Sequence, residues 1–201
     1  MGRTMIKAVI FDCFGVLIGD ALKFEADKLL AAGKTEEAQE FHDLLRLADL
    51  QLIPLDESRQ REAEILGVTT EALREIVKAG ESVNWPLVDY IRSLKPHYKI
   101  GMVSNINDRF YIDAHFDGNL IDELFDVVVT SGEVGHVKPA PEIYQAALDR
   151  LQVEGDEVVM TDDVEAYANG ASSVGIHPIW FHNLDQFKAE FQKILEATDG
   201  N

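Results

Sequence analysis

A chain of 201 residues, 46% of them apolar, suits one domain with a modest insertion and can build a full hydrophobic core. Its 36 acidic and 18 basic residues give a formal charge of −18, which argues against partners such as nucleic acid or an anionic membrane and confines any phosphorylated ligand to a locally positive pocket. The single cysteine, Cys13, forbids an internal disulfide, and no apolar run approaches the roughly 20 residues that a bilayer requires. The opening MGRTMIKAVIF has no long apolar leader segment, and Ile6 breaks the myristoylation pattern, so the expected location is cytoplasmic and soluble.

In chain order, KAVIFD (7–12) is the first apolar run without polar alternation, the pattern of a strand covered on both faces. Residues 20 to about 82 contain no convincing strand. A first helix starts near Asp20, EEAQEFHDLLRLADLQL carries Phe41, Leu44, Leu45 and Ala48 on one face, and ESRQREAEIL and TEALREIVKAG read as two further helices. PLVDYIRSLK, with Pro86 in its first turn, leads to the second strand, KIGMVSN (99–105). FDVVVTS (125–131), the helix PEIYQAALDRLQV, EVVMTDD (157–163), the helical VEAYANGASSVG, HPIWF (177–181) and the helix LDQFKAEFQKILEA follow, and the tail ATDGN is expected to fray. Strands alternating with helices predict an α/β fold, a doubly wound parallel sheet of Rossmann-like type. The division expected is an α/β core of residues 1–18 and 84–201 with a helical cap of residues 19–83 inserted above the strand ends.

Open parallel sheets bind ligands beyond the carboxyl ends of their strands. Asp12 ends the first strand, Ser104 and Asn105 the second, and Asp162 and Asp163 the fourth, while Lys138 precedes a helix between the third and fourth. Each has an ordinary alternative: a turn or cap for the aspartates, an N-cap for Ser104, a solvated surface for Lys138. Their shared edge is what singles them out.

The ordered set VIFDCFGVL, IGMVSN, VKPAPEIY and VVMTDD resembles the haloacid dehalogenase (HAD) superfamily of hydrolases, from about Lys7 to Phe181, with the helical insertion where that family carries its cap. The resemblance implies a hydrolase, a phosphatase acting on a small phosphorylated metabolite through an aspartyl-phosphate on Asp12. It implies a magnesium (Mg2+) ion held by the Asp12 carboxylate, the Phe14 carbonyl and Asp163, with Asp162 beside the ion or bound through water. Ser104 would donate to a phosphoryl oxygen, Asn105 and Lys138 would complete the substrate contacts, and Lys138 would keep Asp12 ionised.

Phe14 departs from the pattern. Phosphatases of this family carry there a second Asp, the general acid and base, whose loss costs about 10²–10⁴ in rate. Three readings stay open: a phosphatase of reduced activity with a base recruited from the cap or from water; a metal-free dehalogenase, whose relatives have an aromatic at this position; and a non-catalytic member binding a phosphorylated ligand or a protein partner. The pair Asp162–Asp163 favours the first, since a dehalogenase needs no cation site. Tyr167 is a second departure, standing where relatives often have Asp or Asn. Arg46 as a halide cradle, Asp20 as a substrate contact and His136 near the substrate are weighed against a solvated helix residue, a helix start and a surface loop; Cys13 reads as a buried small residue. Nothing distinguishes a monomer from a homodimer.

Overall fold

A computed structural model describes residues 5–199. Met1–Thr4, on which the leader reading partly rests, and Gly200 and Asn201 of the tail lie outside the described residues. The chain runs β1 (Ala8–Phe11), α1 (Ala21–Ala31), α2 (Thr35–Asp49), α3 (Leu55–Leu66), α4 (Thr70–Gly80), α5 (Trp85–Leu94), β2 (Lys99–Ser104), α6 (Phe110–Asp113), α7 (Leu120–Leu124), β3 (Val127–Thr130), α8 (Ser131–Val134), α9 (Pro141–Leu151), β4 (Val158–Asp162), α10 (Glu165–Gly170), β5 (His177–Trp180) and α11 (Leu184–Asp199). The sheet order is β3-β2-β1-β4-β5, all pairs parallel, with β1 in the centre. Chain direction across the sheet reverses at β1, and a crevice opens beyond the strand ends at such a switch point.

The strands bury both faces. Val9 and Phe11 point to a core shared with Leu87, Val88 and Ile91 of α5 and Phe187 of α11. Their neighbours Ala8 and Ile10 point to the opposite core, against Ile143, Ala147 and Leu151 of α9. This two-sided burial is why the strands read as continuous apolar runs.

The segment between β1 and α5 folds around its own apolar cluster, including Leu22, Leu29, Phe41, Ala63 and Leu73. Its helices start in different ways. Asp20 caps α1 by accepting from the Lys23 amide at 2.9 Å, and Thr69 caps α4 through the Ala72 amide at 3.2 Å. Helix α3 begins at Leu55, ahead of the expected start, and has no side-chain cap. Ser58 lies within α3 and donates to the fully buried Glu62 at 2.7 Å, while Arg59 pairs with the same carboxylate at 2.6 Å. Glu62→Ala strands the Arg59 guanidinium and the Ser58 hydroxyl, and is expected to cost about 3 kcal/mol in a denaturant titration with an unchanged slope.

One local expectation differs from the structure, and one segment carried none. VEAYANGASSVG is α-helical only to Gly170, then tightens to a 3-10 turn (Ala171–Val174) that ends on Gly175 with φ +88°. Residues 106–124 hold α6 and α7, too short to show a period in a polar stretch.

Candidate active site

The carboxyl edge of the sheet gathers the strand-end residues. Asp12 follows β1, and its Oδ1 accepts from the Cys13 amide at 2.6 Å, which fixes the carboxylate over the turn. The turn continues through Gly15, whose φ of +86° favours glycine and where an added Cβ would lie 2.3 Å from the Asp163 carboxyl carbon. Glycine is thus required for Asp163 to lie against the loop that follows Asp12.

Lys138 is buried and reaches two carboxylates at once, Asp12 Oδ1 at 2.7 Å and Asp162 Oδ2 at 2.6 Å. The loop before α9 delivers it. The Asn105 side chain braces that loop, accepting from the Lys138 amide at 2.7 Å and donating to the Lys138 carbonyl at 3.3 Å. Asn105 therefore holds the lysine's backbone as well as lining the cavity. The second oxygen of Asp162 accepts from the Val164 amide at 2.9 Å, so both its oxygens are engaged and the residue is fully buried. Asp163 faces the cavity and lies 3.5 Å from Lys23, on α1. Ser104 also lines the cavity, and its hydroxyl has no hydrogen-bond partner among the described residues.

One buried cation therefore faces three carboxylates. Burial and the nearby Asp162 hold the Asp12 carboxyl well above the ordinary range, against the pull of Lys138. Burial and Asp162 push Asp163 up to about 6. Burial disfavours the Lys138 charge, but Asp12 and Asp162 outweigh it and raise the ammonium above its usual range. Oxygens of Asp12, Asp162 and Asp163 lie within 4.8 Å of one another. An excess of hard oxygen donors whose negative charge is only partly offset fits a magnesium ion.

The Phe14 ring is half-buried and packs on Tyr111 at 5.8 Å and His115 at 6.0 Å between ring centres. Those rings are themselves tied to Glu81, which accepts from the Tyr111 hydroxyl at 3.0 Å and meets His115 Nε2 at 2.8 Å. This cluster links the end of α4 to α6 and has no local sequence signal, since Glu81 stands 30 residues from Tyr111 and 34 from His115.

The cavity above the cluster measures about 450 Å³ and is roofed by Asp20, Lys23, Arg46 and Asp49 of the inserted segment. Asp20 both caps α1 and lines it. Arg46 is exposed at its rim, and Tyr167 lines it with its ring 5.5 Å from the Lys138 ammonium. His136 is exposed beside Glu142, outside the cavity, and Cys13 is buried. Lys23 and Asp49 were not singled out in the sequence; on the helix they are ordinary charged positions near an end.

A parallel α/β sheet with an Asp, a Ser, a Lys and an Asp pair on its carboxyl edge defines a hydrolase-like architecture of the haloacid dehalogenase type. The family model for haloacid dehalogenase-like hydrolases matches residues 6–175, and the chain belongs to that family. It is 27% identical over 205 residues to a phosphorylated carbohydrates phosphatase of Thermotoga maritima, covering 96% of this chain and 91% of that protein. It is 29% identical over 220 residues to bifunctional epoxide hydrolase 2 of Mus musculus; that match takes in 94% of this chain but spans only 39% of the mouse protein. The fold matches a HAD family enzyme of Bacteroides thetaiotaomicron, solved in complex with magnesium and inorganic phosphate, at a TM-score of 0.67 and 22% identity over 90% of this chain and 98% of that one. No helix among the described residues is long and apolar enough to cross a membrane.

Proposed function

We propose that the chain is a magnesium-dependent phosphatase of small phosphorylated metabolites, with Asp12 as nucleophile. The observation that carries this reading is the Asp12–Asp162–Asp163 cluster around Lys138: its surplus negative charge has a purpose if a divalent ion is to sit beside a phosphate. Without a cation the same surplus repels a haloacid carboxylate, which weighs against the dehalogenase reading. The phosphatase named among the relatives supports the same conclusion.

Asp12, Asp163 and the Phe14 carbonyl would hold the ion, with Asp162 behind them holding Lys138 in place. When bound, the ion would supply positive charge to the phosphoryl oxygens. The Asp12 carboxylate attacks phosphorus as the ester P–O bond breaks, giving an aspartyl-phosphate. Ser104 donates to a phosphoryl oxygen, and Lys138 offsets charge on both the nucleophile and the phosphoryl group. Water then attacks phosphorus and frees Asp12. Substrate selection falls to the inserted helices that roof the cavity. By this reading residues 19–83 act as the cap of a core formed by residues 1–18 and 84–201.

A panel of aryl phosphate, acyl phosphate and 2-haloacid, each with and without magnesium, tests this. Phosphate release that a chelator stops is the expected result. Magnesium is also expected to raise the unfolding temperature of the wild type and to do so far less in Asp163→Asn. Metal-independent halide release selects a dehalogenase, and inertness towards all three a binding protein; either overturns the proposal.

A further inference from the structure

Phe14 leaves the leaving group without a proton donor, and the cavity walls offer a replacement. A second chamber of about 340 Å³ adjoins the first and shares Phe14, Asp20, Leu45, Asp49 and Asn105 with it. In an in-line displacement the leaving oxygen points away from the nucleophile. Asp12 forms the floor of the first chamber, so the leaving group extends towards the roof and the junction, where Asp49 stands.

The other carboxylates that line the two chambers are committed. Asp20 caps α1, and Glu81 is held by Tyr111 and His115. Asp108 accepts from the Phe110 amide, Asp43 from Gln39, and Asp27 and Asp163 pair with Lys23. Asp12 is held by Lys138. The Asp49 carboxyl alone among them has neither a hydrogen bond nor an ion pair among the described residues.

Asp49 is also fixed to the sheet although α2 belongs to the insertion. The Ser131 hydroxyl lies 2.9 Å from the Asp49 carbonyl and 3.0 Å from the Ile106 carbonyl, two residues past Ser104. Two residues further along, the Gln51 side chain donates to the Asn107 carbonyl at 3.1 Å. The end of α2 is thus tied to the loop that follows Ser104.

We propose that Asp49 is the general acid and base of this site, carried on the inserted helix in place of a carboxylate at position 14. The assignment rests on the phosphatase reading above. In the first step the leaving oxygen takes the Asp49 proton as its bond to phosphorus breaks, leaving Asp49 as carboxylate. In the second step that carboxylate takes a proton from the water whose oxygen bonds to phosphorus; the bond from phosphorus to Asp12 breaks, and inorganic phosphate leaves. Asp49 ends protonated and Asp12 ionised, as at the start.

The surroundings suit a donor. Burial, opposed by Arg59 and Lys138 and reinforced by Asp20 and Glu62, pushes the Asp49 carboxyl up to about 8. Arg59 and Glu62 face it from α3, Asp20 from ahead of α1 and Lys138 from the core, with Glu81, Tyr111 and Asp108 further round the second chamber. A carboxyl so placed holds its proton at neutral pH and loses it in mild alkali, so transfer to Asp12 should fall off above about pH 8.

The test compares an alkyl phosphate with an aryl phosphate, both with magnesium, in wild type, Asp49→Asn and Asp49→Asn/Phe14→Asp. Asp49→Asn is expected to lose about 10²–10⁴-fold in kcat on the alkyl ester. On the alkyl ester the alkaline limb of kcat/KM should vanish with it, while on the aryl ester, whose leaving group needs no proton, the variant should keep a full stoichiometric burst of phenol followed by slow turnover. An unfolded variant gives no burst, so a missing burst is checked with Asp49→Glu, which must then retain the alkaline limb. Phe14→Asp in the second variant is expected to restore part of the alkyl-ester rate. An Asp49→Asn protein within twofold of wild type on the alkyl ester, with an unchanged pH profile, overturns the assignment alone. A wild type that releases no phosphate from either ester overturns the reading beneath it.

Discussion

Asp12→Asn is expected to lower magnesium-dependent phosphate release by about 10⁴-fold or more, the scale on which an enzyme loses its nucleophile. The amide keeps the size of the carboxylate and one oxygen for the Cys13 amide, now at 2.6 Å from Asp12 Oδ1. By the proposed mechanism the amide cannot attack phosphorus at a useful rate and would remove an anionic ligand from the ion. Stability should move the other way. Burial and Asp162 raise the Asp12 carboxyl above its ordinary range, so the folded chain holds that proton more tightly than the unfolded chain does. A carboxyl raised on folding is stabilising at low pH and loses that contribution as pH rises through its folded value. Above that value the ionised Asp12 is a cost that Asn does not carry. The variant, without magnesium at neutral pH, should therefore unfold no lower than wild type. Lys138 keeps Asp162 at 2.6 Å as a partner in either case. Phosphate release above a tenth of the wild-type rate, in a protein shown by mass spectrometry not to have reverted to Asp, would rule out Asp12 as the attacking group.

Lys138→Met should have the largest effect on stability. Methionine fills much of the lysine's volume but leaves Asp12 and the fully buried Asp162 facing each other without a cation. Breaking a buried pair on one side costs about 3–5 kcal/mol. In a chain of this length that is a fall of roughly 10 °C in unfolding temperature. The sign of its pH dependence is a sharper test. Without the ammonium, the Asp12 carboxyl is pushed further up, so the variant is least stable above neutrality and recovers as pH falls towards 5 and a proton replaces the missing charge. In the wild type the lysine is itself raised above its usual range by the two carboxylates, so its contribution persists at every pH below the ordinary lysine range and fades only in strong alkali. Denaturant midpoints at pH 5 and pH 7.5 measure the difference. Equal stability of the two proteins at pH 7.5 would mean that the ion triplet does not hold the edge together. Activity is lost with the fold or without it, because the phosphoryl group would meet three carboxylates with no fixed cation.

Much of the architecture is legible along the chain because burial on two faces leaves a local trace. The runs 8–11, 99–104 and 158–162 contain few exposed positions, so their strand character shows without knowledge of their partners. The ends of those runs mark Asp12, Ser104 and Asp162, since a parallel sheet turns all its carboxyl ends to one edge. The helices of the insertion show their apolar stripes for the same reason, Phe41, Leu44 and Ala48 recurring on one face of α2. Segments without a period escape this reading. Helices α6 and α7 span four and five residues, barely one turn, and the 3-10 tightening after Gly170 follows from packing rather than composition.

The amino-acid order by itself determined a parallel α/β sheet, a run of helices between its first two strands and a row of polar residues at the strand ends, because these depend on periodicity and on the direction of the strands. Which of those polar groups bond to each other was decided only in three dimensions. Lys138 lies 126 residues from Asp12 and 24 from Asp162, yet bridges both within 2.7 Å. Asp49 looks like any acid near a helix end until Ser131, 82 residues away, binds its carbonyl and leaves its carboxyl facing the cavity. Electrostatic coupling and hydrogen bonding fall off over a few ångströms of space, whatever the separation along the chain, and so the chemistry of this site was set by the packing that brought its parts together.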